Sequence, residues 1–154
     1  MVWVALMGDF FDIDFAKFER ELDAEVNQHY AESLLFSKEI AAQLLADILR
    51  GNPYWSGRSK ASWVVSLHGP VHYIADDVAK KPGALPESEA DARAMATLAS
   101  LDSFKVGDTI HITQGNIYIA LIEDGVHGVA SGHAGFIAAA VNRYQGRGNF
   151  TITY

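Results

Sequence analysis

Residues 14–50 read DFAKFERELDAEVNQHYAESLLFSKEIAAQLLADILR and contain neither glycine nor proline. Large apolar residues recur at steps of three and four, which is the period of an amphipathic helix. The stripe consists of Phe15, Phe18, Leu22, Val26, Tyr30 and Leu34, and resumes with Ala41, Leu44, Leu45 and Ile48. Asp12 or Asp14 can cap its start, and Gly51-Asn52-Pro53 predicts its end. The stretch therefore predicts one long N-terminal helix.

The predicted helix is longer than the domain to which it belongs. Unbroken, it spans about 52 Å at about 1.5 Å per residue. A chain of 154 residues forms a single compact domain with a diameter of about 40 Å. Either the helix breaks, or one of its ends projects and is covered by another chain.

The second half of this helix is apolar around most of its circumference, and a helix of that kind is buried on several sides. It is either a central core helix, or a helix with one face on a sheet and another on a partner subunit. The candidates for subunit contacts are Leu35, Phe36, Leu45 and Leu49. On either interpretation, Leu45→Asp is expected to disrupt assembly or solubility.

Shorter elements follow the long helix. Strands are predicted over 59–68 and 109–113 and at the C-terminal edge, and helices are predicted from Pro86 to Leu101 and over 136–144. Residues 117–124 either continue the sheet or form a helical turn. The order predicts a single α+β domain over 1–154, with the long N-terminal helix packed on a small, mostly antiparallel sheet with two shorter helices. Residues 1–13 are interpreted as an N-terminal arm or strand, and 70–103 as an insertion with a helix.

The composition argues against several classes of protein. The formal net charge is −7 and there is no run of Lys and Arg, so binding to duplex or sequence-specific nucleic acid is disfavoured. Without cysteine the chain has no disulfide and no zinc ribbon, and its fold rests on packing. The start lacks a basic segment of the signal-peptide type, and no apolar run reaches the roughly 18 residues of a membrane span.

Residues 55–63, WSGRSKASW, place glycine, cations and hydroxyls together, as a phosphate site does. A P-loop needs G-x4-G-K-[ST] between a strand and a helix. Here five residues separate Gly51 from Gly57, Arg58 follows, and the predicted order is helix, loop, strand. The stretch is therefore interpreted as the joint between the long helix and the first strand, with Trp63 anchored in the core.

Histidines are the main candidates for chemistry. His127 and His133 share a glycine-bearing loop and His111 lies on a nearby predicted strand, so a three-histidine metal site and a metal-dependent hydrolase form the alternative function. The chain contains no H-E-x-x-H, no G-x-S-x-G and no thiol. We therefore assign no catalytic residue, metal ligand or cofactor site.

Glu123 is the most informative acid, because it follows an apolar run and precedes Gly125. It is either an ordinary surface acid or the partner of a cation such as Arg58 or Arg143, within the chain or between chains.

Three short motifs follow the long helix in order. They are SGRSKASW at 56–63, YIALIEDG at 118–125 with Asn116 just ahead, and AGFIAAAV at 134–141. The set resembles the tail completion or neck (head-to-tail joining) proteins of long-tailed bacteriophages, over roughly residues 10–145. Segment 70–103 is longer than the usual link in that family. The motif residues taken as interface or structural positions are Gly57, Arg58, Ser62, Trp63, Tyr118, Glu123, Gly125, Gly135 and Phe136.

The resemblance implies a structural virion protein without enzymatic activity or cofactor. Such proteins form rings, commonly hexamers, between the portal and adaptor proteins on one side and the tail terminator or tail tube proteins on the other. It also implies assembly in the host cytoplasm and a location in the neck of the virion. Another ring protein of the virion or tail tube is the nearest competing interpretation.

Overall fold

The computed structural model describes residues 14–126, 132–147 and 150–153. Its helices are α1 (Phe15–Gly51), α2 (Arg58–Ala61), α3 (Glu87–Ala96), α4 (Tyr118–Glu123) and α5 (Phe136–Asn142), and its strands are β1 (Val64–Ser66), β2 (Ile110–Thr113) and β3 (Phe150–Thr153). The predicted α+β class is confirmed, since a long N-terminal helix packs with a small sheet and shorter helices. The interpretation of 1–13 as an arm or strand, and the position of His127, lie outside the described residues.

Helix α1 is continuous from Phe15 to Gly51. At its start the Asp14 side chain accepts a hydrogen bond from the Lys17 N–H at 2.9 Å, which satisfies one of the free amides of the first turn. At its end Asn52 turns to an extended conformation and donates its N–H to the Ile48 carbonyl. The predicted cap at Asp14 and the predicted stop at Gly51-Asn52-Pro53 are confirmed.

The C-terminal part of α1 is the centre of the hydrophobic core. Its buried residues are Ile40, Ala41, Leu44, Leu45, Ile48 and Leu49, which pack with side chains from the sheet and from α5. Burying each large aliphatic side chain contributes about 1.5–3 kcal/mol. Leu45 and Leu49 are 0% and 3% exposed, so their predicted role as subunit contacts is wrong. Their all-round apolar surroundings are supplied by their own chain.

The sheet has the order β1-β2-β3. Strands β1 and β2 are antiparallel, with Val65 opposite Ile112, and both of these side chains are buried in the core. The C-terminal strand β3 lies at an edge, as predicted, but it pairs with β2 in parallel. The sheet is therefore mixed, because the chain crosses over α4 and α5 before it returns to β2.

The predicted strand over 59–68 is only partly correct. Strand β1 is limited to Val64–Ser66, and the residues from Arg58 to Ala61 form the short helix α2. The reason is local, because Gly57 has φ +81° and turns the chain into a helical turn before the strand begins. Trp63 follows that turn and is fully buried.

Residues within the predicted insertion form a second, smaller core against α2. Ala61 packs there with Ala75, Val78, Leu85 and Ala90. The helix predicted from Pro86 is confirmed as α3, and a 3₁₀ segment continues it from Thr97 to Ser103. The Ser100 hydroxyl donates to the Val65 carbonyl at 2.9 Å, which ties the segment to β1.

The two remaining helices lie near the C-terminal end of α1. Residues 117–124, for which sheet and helix were both open, form helix α4, and the helix predicted over 136–144 is confirmed as α5. Helix α5 packs closely on α1 at Gly51, where a Cβ atom would lie 2.9 Å from the Phe136 Cβ. Gly51 thus allows the last turn of α1 to approach α5.

Candidate assembly interface

The first motif, at 56–63, folds around Gly57. The Trp55 carbonyl accepts from the Gly83 N–H at 2.8 Å and the Ser56 carbonyl accepts from the Leu85 N–H at 3.0 Å. A Cβ on Gly57 would lie 2.6 Å from the Leu85 carbonyl oxygen and 2.9 Å from its Cβ. The glycine is therefore required twice, for its positive φ and for the close approach of residues 83–85.

Gly57→Ala is expected to destabilise the protein by at least about 2–4 kcal/mol, because the left-handed conformation and the contact with a backbone carbonyl both become unfavourable. Gly83→Ala is the matched control, since Gly83 has φ +67° and nothing lies within 4 Å of its Cβ position. It should lose only about 1–2 kcal/mol. Urea unfolding followed by circular dichroism measures both values, and equal losses would contradict the packing role of Gly57.

The polar residues of the first motif make contacts within the chain. Arg58 pairs with Asp76 and donates to the Val78 carbonyl at 3.2 Å. The Ser62 hydroxyl donates to the Arg58 carbonyl at 2.6 Å and accepts from the Ala75 N–H at 3.0 Å. These contacts hold residues 75–78 on α2, so both motif residues have structural roles.

Lys60 is the buried charge of this region, with its side chain 3% exposed. Its Nζ lies 2.6 Å from Glu87 Oε1 and 3.3 Å from Asp91 Oδ1, both on α3. Removing one partner of such a group leaves an uncompensated charge, so the ion pairs fix α3 on α2. No sequence pattern distinguished Lys60 from a solvated lysine.

Trp63 and Asn52 connect the first motif to the end of α1. Trp63 Nε1 donates to Asn52 Oδ1 at 3.0 Å, and the Ser59 hydroxyl donates to the same oxygen at 3.2 Å. Asn52 is 2% exposed, and these two donors satisfy its buried amide oxygen. The interpretation of 55–63 as the joint between helix and sheet is confirmed in this contact.

The second and third motifs meet at the start of α5. Both Glu123 carboxylate oxygens accept backbone N–H groups there, from Ile137 and Ala138, each at 2.9 Å. The Gly135 N–H donates to the Glu123 carbonyl at 2.9 Å. A carboxylate at this position compensates the free amides and the positive end of the helix. Glu123 is therefore not an ordinary surface acid, and within the chain it pairs with neither Arg58 nor Arg143; a pair with a cation of another chain stays a prediction.

Arg143 binds a different carboxylate, that of Asp47 on α1. The Arg143 guanidinium lies 3.1 Å from Asp47 Oδ2, and the Tyr144 hydroxyl donates to the same oxygen at 2.9 Å. Burial alone raises the pKa of Asp47, but the hydrogen bonds from Tyr144 and Arg143 outweigh it and hold the pKa below its usual value. The cluster fastens the end of α5 to α1.

The other motif residues divide between turns, core and surface. Gly125 and Gly135 have φ of +70° and +72°, which glycine adopts without strain. Phe136 is buried in the main core, whereas Tyr118 is exposed at the start of α4. Of the nine motif positions, only Tyr118 has a large side chain that is exposed.

The N-terminal part of α1 projects from the rest of the chain. We call residues 14–39 the arm: none of them is buried, and the first buried residue of the helix is Ile40. The arm is about 39 Å long at about 1.5 Å per residue. Of the two outcomes expected for an over-long helix, the structure has the projecting end.

The arm carries its apolar residues on one face. The arm stripe consists of Phe15, Phe18, Leu22, Val26 and Tyr30, which are 67%, 56%, 48%, 42% and 50% exposed. It continues the face on which Ile40 and Leu44 enter the core, because all these positions follow the same three- and four-residue steps. The sequence predicted the stripe, but it did not show at which residue of α1 the stripe becomes buried in the core.

Leu35 and Phe36 remain candidates for subunit contacts, since they are 60% and 49% exposed. At 3.6 residues per turn Phe36 lies on the same side of α1 as the arm stripe, and Leu35 lies towards the opposite side. The four predicted contact residues thus separate into two core residues and two surface residues.

A second exposed apolar surface lies beside β2. The loop patch consists of Val71, Tyr73, Ile117 and Tyr118, all of which are more than 40% exposed. The Gly115 N–H donates to the Tyr73 carbonyl at 2.8 Å, and the Val71 N–H donates to the Thr113 hydroxyl, so the two segments run side by side. A Cβ on Gly115 would meet the His72 carbonyl at 2.9 Å, which explains the glycine.

The histidines that the structure describes do not converge. In the described part of the chain no group of three His, Asp or Glu side chains lies close enough to hold a metal ion. His133 Nδ1 lies 2.9 Å from the Gly51 carbonyl, at the end of α1. An open depression beside β1 is lined by residues 66–71 with Ser100 and Ser103, and His68 is its one titratable side chain.

Comparisons with protein-family models, with curated proteins and with solved structures gave no match. Among the described residues, no helix combines the length and the apolar character needed to cross a membrane. The features of this chain that bear on its function are therefore the exposed arm and the loop patch.

Proposed function

We propose that this protein is a structural subunit of the phage neck, a ring that joins the portal and adaptor complex to the tail. The observation that supports the proposal is the arm, with its contiguous stripe of five exposed large apolar residues. Monomeric soluble proteins seldom leave such a surface uncovered, and larger exposed apolar patches mark sites of interaction. In an assembly, a neighbouring protein would cover this apolar stripe.

The loop patch is a second exposed apolar surface and also supports a role in assembly. A closed ring of identical subunits can be built from heterologous contacts, in which one surface of a subunit meets an unlike surface of the next. A protein in that position also needs surfaces for the components above and below it. The loop patch is available for contacts within such a ring, and the arm stripe is a separate apolar surface for a component above or below it.

Disrupting the gene in the phage that carries it tests this proposal. We expect filled heads and complete tails to accumulate separately, because the component that joins them is absent. Adding the purified wild-type protein to the lysate should restore tailed, infectious particles, and buffer alone should not. Electron microscopy and plaque counts measure the two outcomes. Normal tailed particles after disruption would exclude a required neck role.

A further inference from the structure

The arm stripe is narrow and bounded on both sides. At 3.6 residues per turn its five residues fall within an arc of about 120°. Glu19 and Asp23 lie along one edge of this arc, and Glu25 and Glu32 lie along the other. All four acids are exposed. The arm therefore presents an apolar face with an acidic rim on each side.

Lysine and arginine are kept away from this face, and its one histidine, His29, lies 3.9 Å from Glu25 and 3.8 Å from Glu32. The arm contains seven acidic and three basic residues, a net charge of −4 out of −7 for the whole chain. The three bases, Lys17, Arg20 and Lys38, fall on the opposite side of the helix at 3.6 residues per turn. Lys17 lies 3.8 Å from Glu21 in an i,i+4 pair on that side.

We propose that the arm binds an apolar helix or groove on a different protein, and that the rim of that partner surface carries Lys and Arg. The apolar stripe supplies contact area, and the two acidic edges supply register and choice of partner, as charged positions beside a helical seam do. This binding depends only on residues of the arm, so it is expected whether or not the protein belongs to a phage neck.

A second copy of the arm fits this surface poorly. Both edges of the stripe are acidic, so parallel and antiparallel pairing of two arms would each bring acid against acid. An anionic lipid surface fits poorly for a related reason, since helices that lie on such membranes carry Lys and Arg beside their apolar face. A protein surface with Lys and Arg around an apolar centre would place opposite charges beside both acidic edges of the arm stripe.

Two synthetic helical peptides serve as probes for the full-length protein. Both carry a leucine stripe at steps of three and four residues, one with Lys and the other with Glu at the flanking positions. In fluorescence anisotropy titrations we expect the Lys-flanked peptide to bind about tenfold more tightly, since four exposed ion pairs of ordinary strength give about that factor. The preference should shrink as salt is raised. Equal binding of both peptides, or no binding, would overturn the proposal.

A charge-swapped variant separates the rim from the stripe. Glu19→Lys with Glu25→Lys should abolish the preference, because one acid on each edge of the rim becomes a base and the four rim charges then cancel. Glu21→Lys with Glu39→Lys is the matched control, because it makes the same change in net charge at positions about 60° outside the edge of the stripe. If the control abolishes the preference as well, net charge and not the rim determines binding.

A stripe variant tests the apolar contact. Leu22→Ser should weaken binding of the Lys-flanked peptide at least about tenfold, whereas Ala24→Ser, on the opposite side of the arm, should not. Thermal unfolding checks that both variants keep the fold. Sedimentation of the full chain is the second readout, and self-association that Leu22→Ser abolishes would assign the stripe to a second copy and overturn the proposal.

Discussion

Leu45→Asp is expected to prevent folding or to lower the free energy of unfolding by more than about 4 kcal/mol. Leu45 is 0% exposed in the main core, so an aspartate there either buries an unpaired charge or is protonated and buries unsatisfied oxygens. The measurements are the yield of soluble protein and, for any soluble fraction, the midpoint of urea unfolding. The effect arises within one chain and does not require an assembly.

Leu35→Asp is the matched control, since it makes the same substitution on the same helix at a side chain that is 60% exposed. Its stability should change by less than about 1 kcal/mol, the range of ordinary surface substitutions with a small loss of helix propensity. A similar loss for both variants would mean that burial within the chain is not what distinguishes these leucines.

Trp63→Ala is expected to cost about 3–5 kcal/mol of stability, a large share of the roughly 5–15 kcal/mol available to a domain. The substitution leaves a cavity between α1 and the sheet and removes the donor that Asn52 Oδ1 accepts at 3.0 Å. For a chain of this length the melting temperature should fall by about 10 °C or more. Circular dichroism during heating measures the shift.

Trp55→Ala provides the comparison within the same nine-residue stretch. Trp55 is 57% exposed, so its loss should change stability by less than about 0.5–1 kcal/mol. Trp63→Phe is a second comparison, because it keeps most of the packing and removes only the indole N–H. It should lie between the other two, and a loss as large as that of Trp63→Ala would give the hydrogen bond more weight than the cavity.

Much of the fold could be predicted because its signals are local. The absence of Gly and Pro over 14–50, the cap at Asp14 and the stop at Pro53 depend on neighbouring residues, and all three agree with α1. Alternation in 109–113 likewise depends on the period of a strand and places β2 within one residue. Periodicity together with these start and stop signals was sufficient to predict both elements.

The errors concern contacts between residues far apart in the chain. Glu123 and Ile137 meet only because a turn at Gly135 brings α5 back to α4, and position 57 has no room for a Cβ because residues 83–85 return beside it. An apolar residue at 22 and one at 44 have the same local pattern, yet the sheet covers only the second. Which part of an amphipathic helix is buried depends on tertiary packing, which no window of sequence contains.

Helix α1 is continuous, but the free energy needed to open it locally differs greatly between its exposed N-terminal part and its buried C-terminal part. Around Leu44 and Ile48 an amide can exchange its hydrogen only when the core opens. Around Leu22, whose side chain is 48% exposed, the described part of the chain gives an amide only the protection of the helix itself. Helices without tertiary support are marginal in water, so the arm is ordered by propagation from its packed end. The free energy of local opening therefore rises along α1 from its N-terminal end to its C-terminal end. A partner that covers the exposed end raises the free energy of opening there, so its binding should slow amide exchange most around Leu22 and least around Leu44.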